Sequence, residues 1–280
     1  MKTHFEKRRH EIEQRDVLEW VRVRNKSPHG LVFVPPLIGG TISQQVNAFR
    51  WLIRRGYDLF SFNYSGHGDS SDKFSLGATL RDTWYMLGYA AGLGQRENLP
   101  LFAIASCYSA MPVLYAAHHL REPIRRLVLI NGIPTLGPQA VLQSFFLYYG
   151  RIFSRKRGPL GLWAALMDYA DSLFPEVVKK KGRFGVLERS RAKFLRTIAE
   201  FFTLQPLKGV KLKQTPVLCL RSREDTILDI YGGHLNDNYR NTMRGICPMA
   251  SFQAIEGDHF LSLPSAKGAA VRSISAFFKA

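Results

Sequence analysis

The stretch Leu101-Phe102-Ala103-Ile104-Ala105-Ser106-Cys107-Tyr108-Ser109-Ala110-Met111-Pro112-Val113 decides the reading of this chain. Five residues, Leu101 to Ala105, read as a buried strand, and Ala110 onward reads as the start of a helix. Between them lies a small-x-Cys-x-small turn in which Ala105 and Ser109 flank Cys107 at a distance of two residues. A sharp strand-to-helix turn demands small neighbours, because its central residue is strained and its side chain is pushed into the open. Cys107 then stands at a helix N-terminus, where the dipole and the unpaired N–H groups favour a thiolate. The flanking Ser106 and Ser109 are expected to point away from the apex.

Strand and helix patterns alternate on both sides of this turn, as in a mostly parallel sheet covered by helices. Leu18 to Arg24 mostly alternates apolar and polar, and Leu31-Val32-Phe33-Val34 is a fully apolar strand running into the loop Pro35-Pro36-Leu37-Ile38-Gly39-Gly40. A helix is expected from about Ser43 to Arg55, ended by Gly56. Further strands are expected at Tyr57–Asn63, Arg126–Asn131, Pro216–Arg221 and Ala250–Ile255, with a last helix from about Ala266 to Phe278. The stretch from about Pro134 to Lys213 breaks the alternation. It has no good strand, two aromatic clusters (Phe145–Tyr149 and Phe201-Phe202) and basic runs that include Arg155-Lys156-Arg157 and Lys179-Lys180-Lys181. We read 134–213 as a helical lid inserted over the sheet's C-terminal edge, with 1–133 and 214–280 as the core. Packing helices with solvated charges is the plainer alternative.

The 280 residues suit one α/β domain with an insertion, and 46% hydrophobic content is ordinary. The charged N-terminus has no apolar segment behind it, and no stretch approaches the roughly 20 apolar residues a membrane helix needs. Three cysteines, Cys107, Cys219 and Cys247, form neither a disulfide framework nor a zinc spacing. A cytoplasmic location is the expectation. The net charge of +17 attracts anions. With no nucleic-acid-binding motif in the chain, an acidic protein or an anionic membrane surface is the expected kind of partner.

From about Leu31 to its end the chain resembles the α/β-hydrolase family, in four features that occur in the family's order. The loop Pro35–Gly40 stands where the family has a His-Gly oxyanion loop, although the histidine is absent and Pro36 carries no N–H. Asn63-Tyr64-Ser65-Gly66-His67-Gly68-Asp69-Ser70 is similar to the family's structural Asp-x-Arg-Gly-x-Gly-x-Ser turn. Ala105–Ser109 resembles the Gly-x-Ser-x-Gly elbow with both glycines and the serine replaced. It is similar to the elbow of bacterial myristoyl acyl-carrier-protein thioesterases, and cysteine elbows also occur in dienelactone hydrolases and polyhydroxyalkanoate synthases. Finally, Arg223-Glu224-Asp225 after a strand and Gly257-Asp258-His259-Phe260 fall where the family keeps its acid and its histidine.

The resemblance implies an α/β-hydrolase fold and a triad of Cys107, Asp225 and His259, with the N–H groups of Leu37 and Tyr108 as oxyanion donors. Glu224 and Asp258 remain rivals for the acid, and His67 is expected to be a loop residue. A cysteine nucleophile accepts an acyl group from a thioester at little energetic cost, so acyl thioesters of coenzyme A or of an acidic acyl carrier protein are the leading substrates, for hydrolysis or transfer. The aromatic lid residues suit a fatty chain, and Arg155, Lys156 and Arg157 are the candidate docking residues. A small ester or lactone hydrolase, and a binding protein without catalysis, stay open beside this. No motif implies a metal or an organic cofactor.

Overall fold

The computed structural model describes residues 4–12, 16–37, 40–70, 74–133, 200, 203, 205–225, 236–259 and 261–280. Most of the expected lid, with Arg155, Lys156 and Arg157, lies outside these residues. Eight strands form one sheet: β1 (His4–Ile12), β2 (Asp16–Arg24), β3 (Leu31–Phe33), β4 (Asp58–Phe62), β5 (Leu101–Ser106), β6 (Arg126–Ile130), β7 (Val217–Ser222) and β8 (Ala250–Ile255). Their order is β1-β2-β4-β3-β5-β6-β7-β8. The six strands from β4 to β8 in that order pair in parallel; β2 pairs antiparallel to β4 and β1 antiparallel to β2, so β2 alone runs against the rest.

Both faces of the sheet are covered. Leu31, Phe33, Phe60 and Leu129 pack toward α3 (Leu76–Arg96), α4 (Ala110–His118) and α5 (Asn236–Ile246), where Met86, Leu87, Val113, Leu114 and Met243 complete one core. The alternate residues Val32, Val34, Ile104 and Leu220 face α1 (Ile42–Phe49), α2 (Trp51–Arg54) and α6 (Pro264–Lys279) in a second core. Strands buried on both faces read as continuous apolar runs, which is why β3, β5 and β6 stood out in the sequence. Among the described residues no helix is long and apolar enough to cross a membrane.

Three details differ from the sequence expectation. The helix expected from Ser43 to Arg55 is two helices meeting at Arg50. The strand expected through Asn131 stops at Ile130, because Asn131 turns left-handed with φ 47°. The sequence pattern marks neither the hairpin strand β1 nor the helices α3 and α5.

The topology places the site. From β3 the chain moves outward to β4, then returns to β5 on the other side of β3 and proceeds to β6. The carboxyl ends of β3 and β5 therefore flank a switch point, where open α/β sheets form their binding crevice. The loop after β3 contains Leu37, and the residue after β5 is Cys107.

Candidate active site

β5 ends at Ser106, and Cys107 opens a 3-10 turn, Cys107–Ser109, that feeds α4. Cys107 has φ 53°. A non-glycine residue held in this left-handed region is strained, and the surrounding structure must hold it there. The Ser109 hydroxyl, fully buried, donates to the Ser106 carbonyl at 2.7 Å and accepts from the Ser106 N–H at 2.9 Å, closing the turn. The N–H of Ile133 donates to the Cys107 carbonyl at 3.0 Å. Gly132 lets β6 approach the elbow, since a Cβ there would meet the Ala110 Cβ at 2.8 Å. Tyr108 is anchored by its hydroxyl, 2.7 Å from Thr79 Oγ1, and burial pushes its phenol well above the usual range. The expectation for Ser109 is met, whereas Ser106 shares the cavity wall with Cys107.

Cys107 is partly exposed, but Cys219 and Cys247 are buried. Burial pushes both of those thiols up to about 12, which suits inert core residues.

His259 follows β8 in a loop and meets Asp225, which follows β7. Its Nδ1 lies 2.9 and 2.8 Å from the two Asp225 carboxylate oxygens, and both residues are buried. The two turns are tied together: the Arg223 N–H donates to the Ile255 carbonyl and the Glu224 N–H to the Gly257 carbonyl. The rivals are placed elsewhere. Glu224 is exposed, and the Asp258 carboxylate accepts from the backbone and hydroxyl of Ser262 at 2.7 and 2.6 Å. Burial pulls the His259 imidazolium down, but hydrogen bonding to Asp225 and to Cys107, with the charges of both, outweighs it and raises the value to about 10. Cys107, His259 and Asp225 are thus one connected group, and Nδ1 bound to Asp225 leaves Nε2 as the ring's other polar atom.

Asn131 is a residue the sequence reading passed over as the end of a strand. It is 1% exposed, and its side chain donates to Ser222 Oγ at 2.9 Å and to the His259 carbonyl at 2.8 Å, while its Oδ1 accepts from the Ser222 N–H at 2.7 Å. It bridges the ends of β6 and β7 to the histidine loop. The signal was present: Asn-Gly after an apolar run marks a turn that tolerates positive φ.

Leu37 borders the same cavity as Cys107 and His259, a space of about 450 Å³. Its carbonyl accepts from the Gly40 N–H at 2.8 Å; Ile38 and Gly39 lie outside the described residues. The Asn63 turn secures this loop from below. Asn63 Oδ1 accepts from the Ile42 N–H at 3.0 Å, fixing the start of α1, and Asn63 Nδ2 donates to the buried Glu19 at 2.5 Å. His67 sits in that turn, with Nδ1 3.2 Å from the Ser65 carbonyl and its ring against Tyr64 and Phe74; burial lowers its pKa.

The fold has counterparts among solved structures. A lipase in its open form aligns at 13% identity with a TM-score of 0.67 over 98% of each chain. DcsB, solved in complex with its substrate analogue, aligns at 13% identity and 0.67 over 99% of this chain and 98% of its own. The mouse alpha/beta hydrolase domain-containing protein 10 aligns at 16% identity and 0.59 over 98% of each chain. The fold is that of the α/β-hydrolases. No protein-family model and no curated protein sequence matches the chain. Within the α/β-hydrolase fold, Cys107 stands at the elbow after the fifth strand, and Asp225 and His259 stand after the last two strands in the fold's chain order.

Proposed function

We propose that this chain is an acyl-transferring hydrolase that works through an acyl-Cys107 intermediate on acyl thioesters. One observation carries the reading: a cysteine in a left-handed elbow shares a cavity with a histidine whose other ring nitrogen is bound to a buried aspartate. The Cys107 sulfur attacks the thioester carbonyl carbon, and the negative charge that develops on the carbonyl oxygen is received by the N–H groups of Leu37 and Tyr108. Each such donor is worth about 10²–10³ in rate in a well-studied case. The intermediate collapses to acyl-Cys107 and a thiolate, which leaves as a thiol with the proton of His259. His259 then takes a proton from water or another acceptor as it attacks the acyl-cysteine, returning the free acid or the transferred acyl group and the resting cysteine. Asp225 holds the imidazole orientation and stabilises its positive charge throughout.

Thioesters are favoured because exchange of one thioester for another is close to balanced, whereas forming acyl-cysteine from an oxygen ester is uphill. The net charge of +17 supports an acidic carrier protein or the phosphates of coenzyme A as the group that delivers the acyl chain, or peripheral contact with an anionic membrane. Arg155, Lys156 and Arg157 are the proposed docking residues. A reducing compartment such as the cytoplasm suits the thiol.

A second reading, hydrolysis of simple esters or lactones, is favoured by the esterases among the structural neighbours, such as that of Pyrococcus furiosus at 13% identity and a TM-score of 0.61. Release of product from matched octanoyl thioester and oxygen ester separates the two. A higher kcat/KM for the thioester, lost in Cys107→Ala, supports the proposal. A preference for the oxygen ester overturns it in favour of the second reading.

A further inference from the structure

β8 is the outer strand on the side of the sheet away from the β1–β2 hairpin. It pairs with β7, and among the described residues no strand pairs with its other side. The N–H of Val217 donates to the Met249 carbonyl at 3.3 Å, and that of Arg223 to the Ile255 carbonyl at 2.9 Å. In a parallel pair every second residue bonds to the neighbour, so Met249, Ser251, Gln253 and Ile255 turn their backbone toward β7. Ala250, Phe252 and Ala254 turn theirs outward. The Ala250 N–H donates to the Cys247 carbonyl at 3.0 Å. The outward row is thus the N–H groups of Phe252 and Ala254 and the carbonyls of Ala250, Phe252 and Ala254.

An open edge is a template for another strand, and proteins commonly guard it with charge or proline. The opposite edge is guarded: β1 carries Glu6, Lys7, Arg8, Arg9 and Glu11. β8, Ala250-Ser251-Phe252-Gln253-Ala254-Ile255, has neither a charge nor a proline, and Ser251, Gln253 and Ala254 are exposed.

The side chains beside this edge select what it takes. Phe252 faces α5, its ring 6.3 Å from that of Tyr239. The Arg240 guanidinium stands over the Phe252 ring at 5.8 Å and that of Arg244 at 5.6 Å, while Arg221 lies over Tyr239 at 5.9 Å. Arg240 and Arg244 are exposed and four residues apart, a like-charge spacing that weakens a helix by itself. Among the described residues neither forms an ion pair, and Glu256, the acid just past β8, is paired with Arg223 at 2.9 Å. A second copy added antiparallel to β8 would bring its own Arg240 and Arg244 to the same seam, with a net charge of +17 on each chain, so charge opposes it.

We propose that the β8 edge docks an extended acidic segment of another protein as an added strand, with carboxylates at alternate positions against Arg240 and Arg244. Main-chain bonds to the outward row supply affinity, and the two arginines supply the choice of sequence. A residue opposite Phe252 shares its face of the sheet, so a glutamate or aspartate there lies beside both guanidinium groups. The proposal stands apart from the chemistry at Cys107.

The probe is a fluorescein-labelled peptide of alternating valine and glutamate, roughly seven residues long to span β8, with fluorescence anisotropy at low salt as the readout. It should bind about tenfold or more tightly than the same peptide with lysine for glutamate, since like charges across an interface are strongly disfavoured. Added salt should weaken it. Arg240→Gln combined with Arg244→Gln should remove most of the preference for glutamate. Ala254→Pro deletes an outward N–H that β7 does not use, at an edge position of the kind that tolerates proline, and should weaken binding. The same bonds are read on the unaltered protein by methylating the peptide nitrogens of every glutamate or of every valine, and one of the two sets should abolish binding. Equal binding of the lysine peptide, a preference that survives the double arginine variant, or full binding by both methylated peptides overturns the proposal. Sedimentation of the protein alone as a dimer that Ala254→Pro makes monomeric overturns it in favour of a second copy.

Discussion

At the scale of single residues, the account turns on His259. Its protonated form persists to about pH 10 because hydrogen bonding to Asp225 and Cys107 outweighs the burial that opposes it. In the proposed mechanism this proton goes to the leaving thiol, so acylation of the wild-type protein should fall only as pH rises through about 10. Asp225→Asn removes one of the raising interactions. Its alkaline limb should move to lower pH and its kcat should fall by about 10²–10⁴, as for comparable triads, with a pH–rate profile as the readout. The same shift bears on stability. A folded-state value raised above the ordinary 6.5 gives a contribution that is fully present below that pH and is lost as pH climbs to about 10. In the proposed mechanism Asn131 is a positioning residue, since its side chain donates to the His259 carbonyl. Asn131→Ala leaves the His259 carbonyl and the Ser222 N–H without their buried partner, a loss of about 1–3 kcal/mol in thermal or urea unfolding. It should also lower kcat with KM nearly unchanged, and a variant equal to wild type in both would show that the bridge does not position the histidine.

At the scale of elements, the loop between β8 and α6 is held by Gly257, with φ 124° and a position at which a Cβ would lie 2.7 Å from the Ala266 Cβ. Gly257→Ala meets both strain and a clash, so it should destabilise the protein by more than about 1 kcal/mol and reduce kcat through displacement of His259, checked by unfolding and by kinetics on the folded fraction. Elements differed in how far their sequences betrayed them. The elbow was legible because small-x-Cys-x-small between an apolar strand and a helix start has few other uses, and β3, β5, β6 and β7 because apolar runs mark buried strands. α3 was not, since Gly77, Gly88, Gly92 and Gly94 give its 21 residues poor intrinsic helicity. It is held instead by the Ser75 cap, whose hydroxyl accepts from the Ala78 N–H, and by packing of Met86, Leu87 and Ala90. β1 carries five charged residues in nine, an edge-strand composition that guards against unwanted pairing and hides the strand from an apolar search. α5 is polar along most of its length and shows its packing only through residues such as Met243 and Ile246. Of the proposed site, the three central residues were readable from order and spacing. Asn131 was not, because its contacts are with distant elements, Ser222 and the His259 loop.

At the scale of the molecule, the proposed site and an ionic anchor sit at opposite ends of the strands. Arg22 of β2, 1% exposed, bonds Asp58 at the start of β4 through Nε at 2.9 Å and Nη2 at 2.6 Å. It also holds Glu97, just past α3, at 2.7 and 2.6 Å, and Arg24 joins the same carboxylate. This cluster fastens the antiparallel hairpin to the parallel sheet at the strands' far ends from Cys107. Removing its cation leaves a buried carboxylate uncompensated, so Arg22→Ala should cost about 3–5 kcal/mol in urea unfolding while turnover per folded molecule is unchanged. Comparable loss of kcat in the folded protein would mean that the two ends are coupled. The switch point between β3 and β5 brings Leu37 and Cys107 to one crevice, and the returns of β7 and β8 bring Asp225 and His259 to it, so the topology itself assembles the proposed machinery. The most direct measurement of the central claim is intact-protein mass after brief exposure to octanoyl and longer acyl thioesters of coenzyme A and of an acidic acyl carrier protein, followed by peptide mapping. The account predicts a gain of one acyl group, located on Cys107 and lost in Cys107→Ala. An unmodified wild-type protein that nevertheless turns the thioesters over, or an adduct that survives in Cys107→Ala, would contradict it.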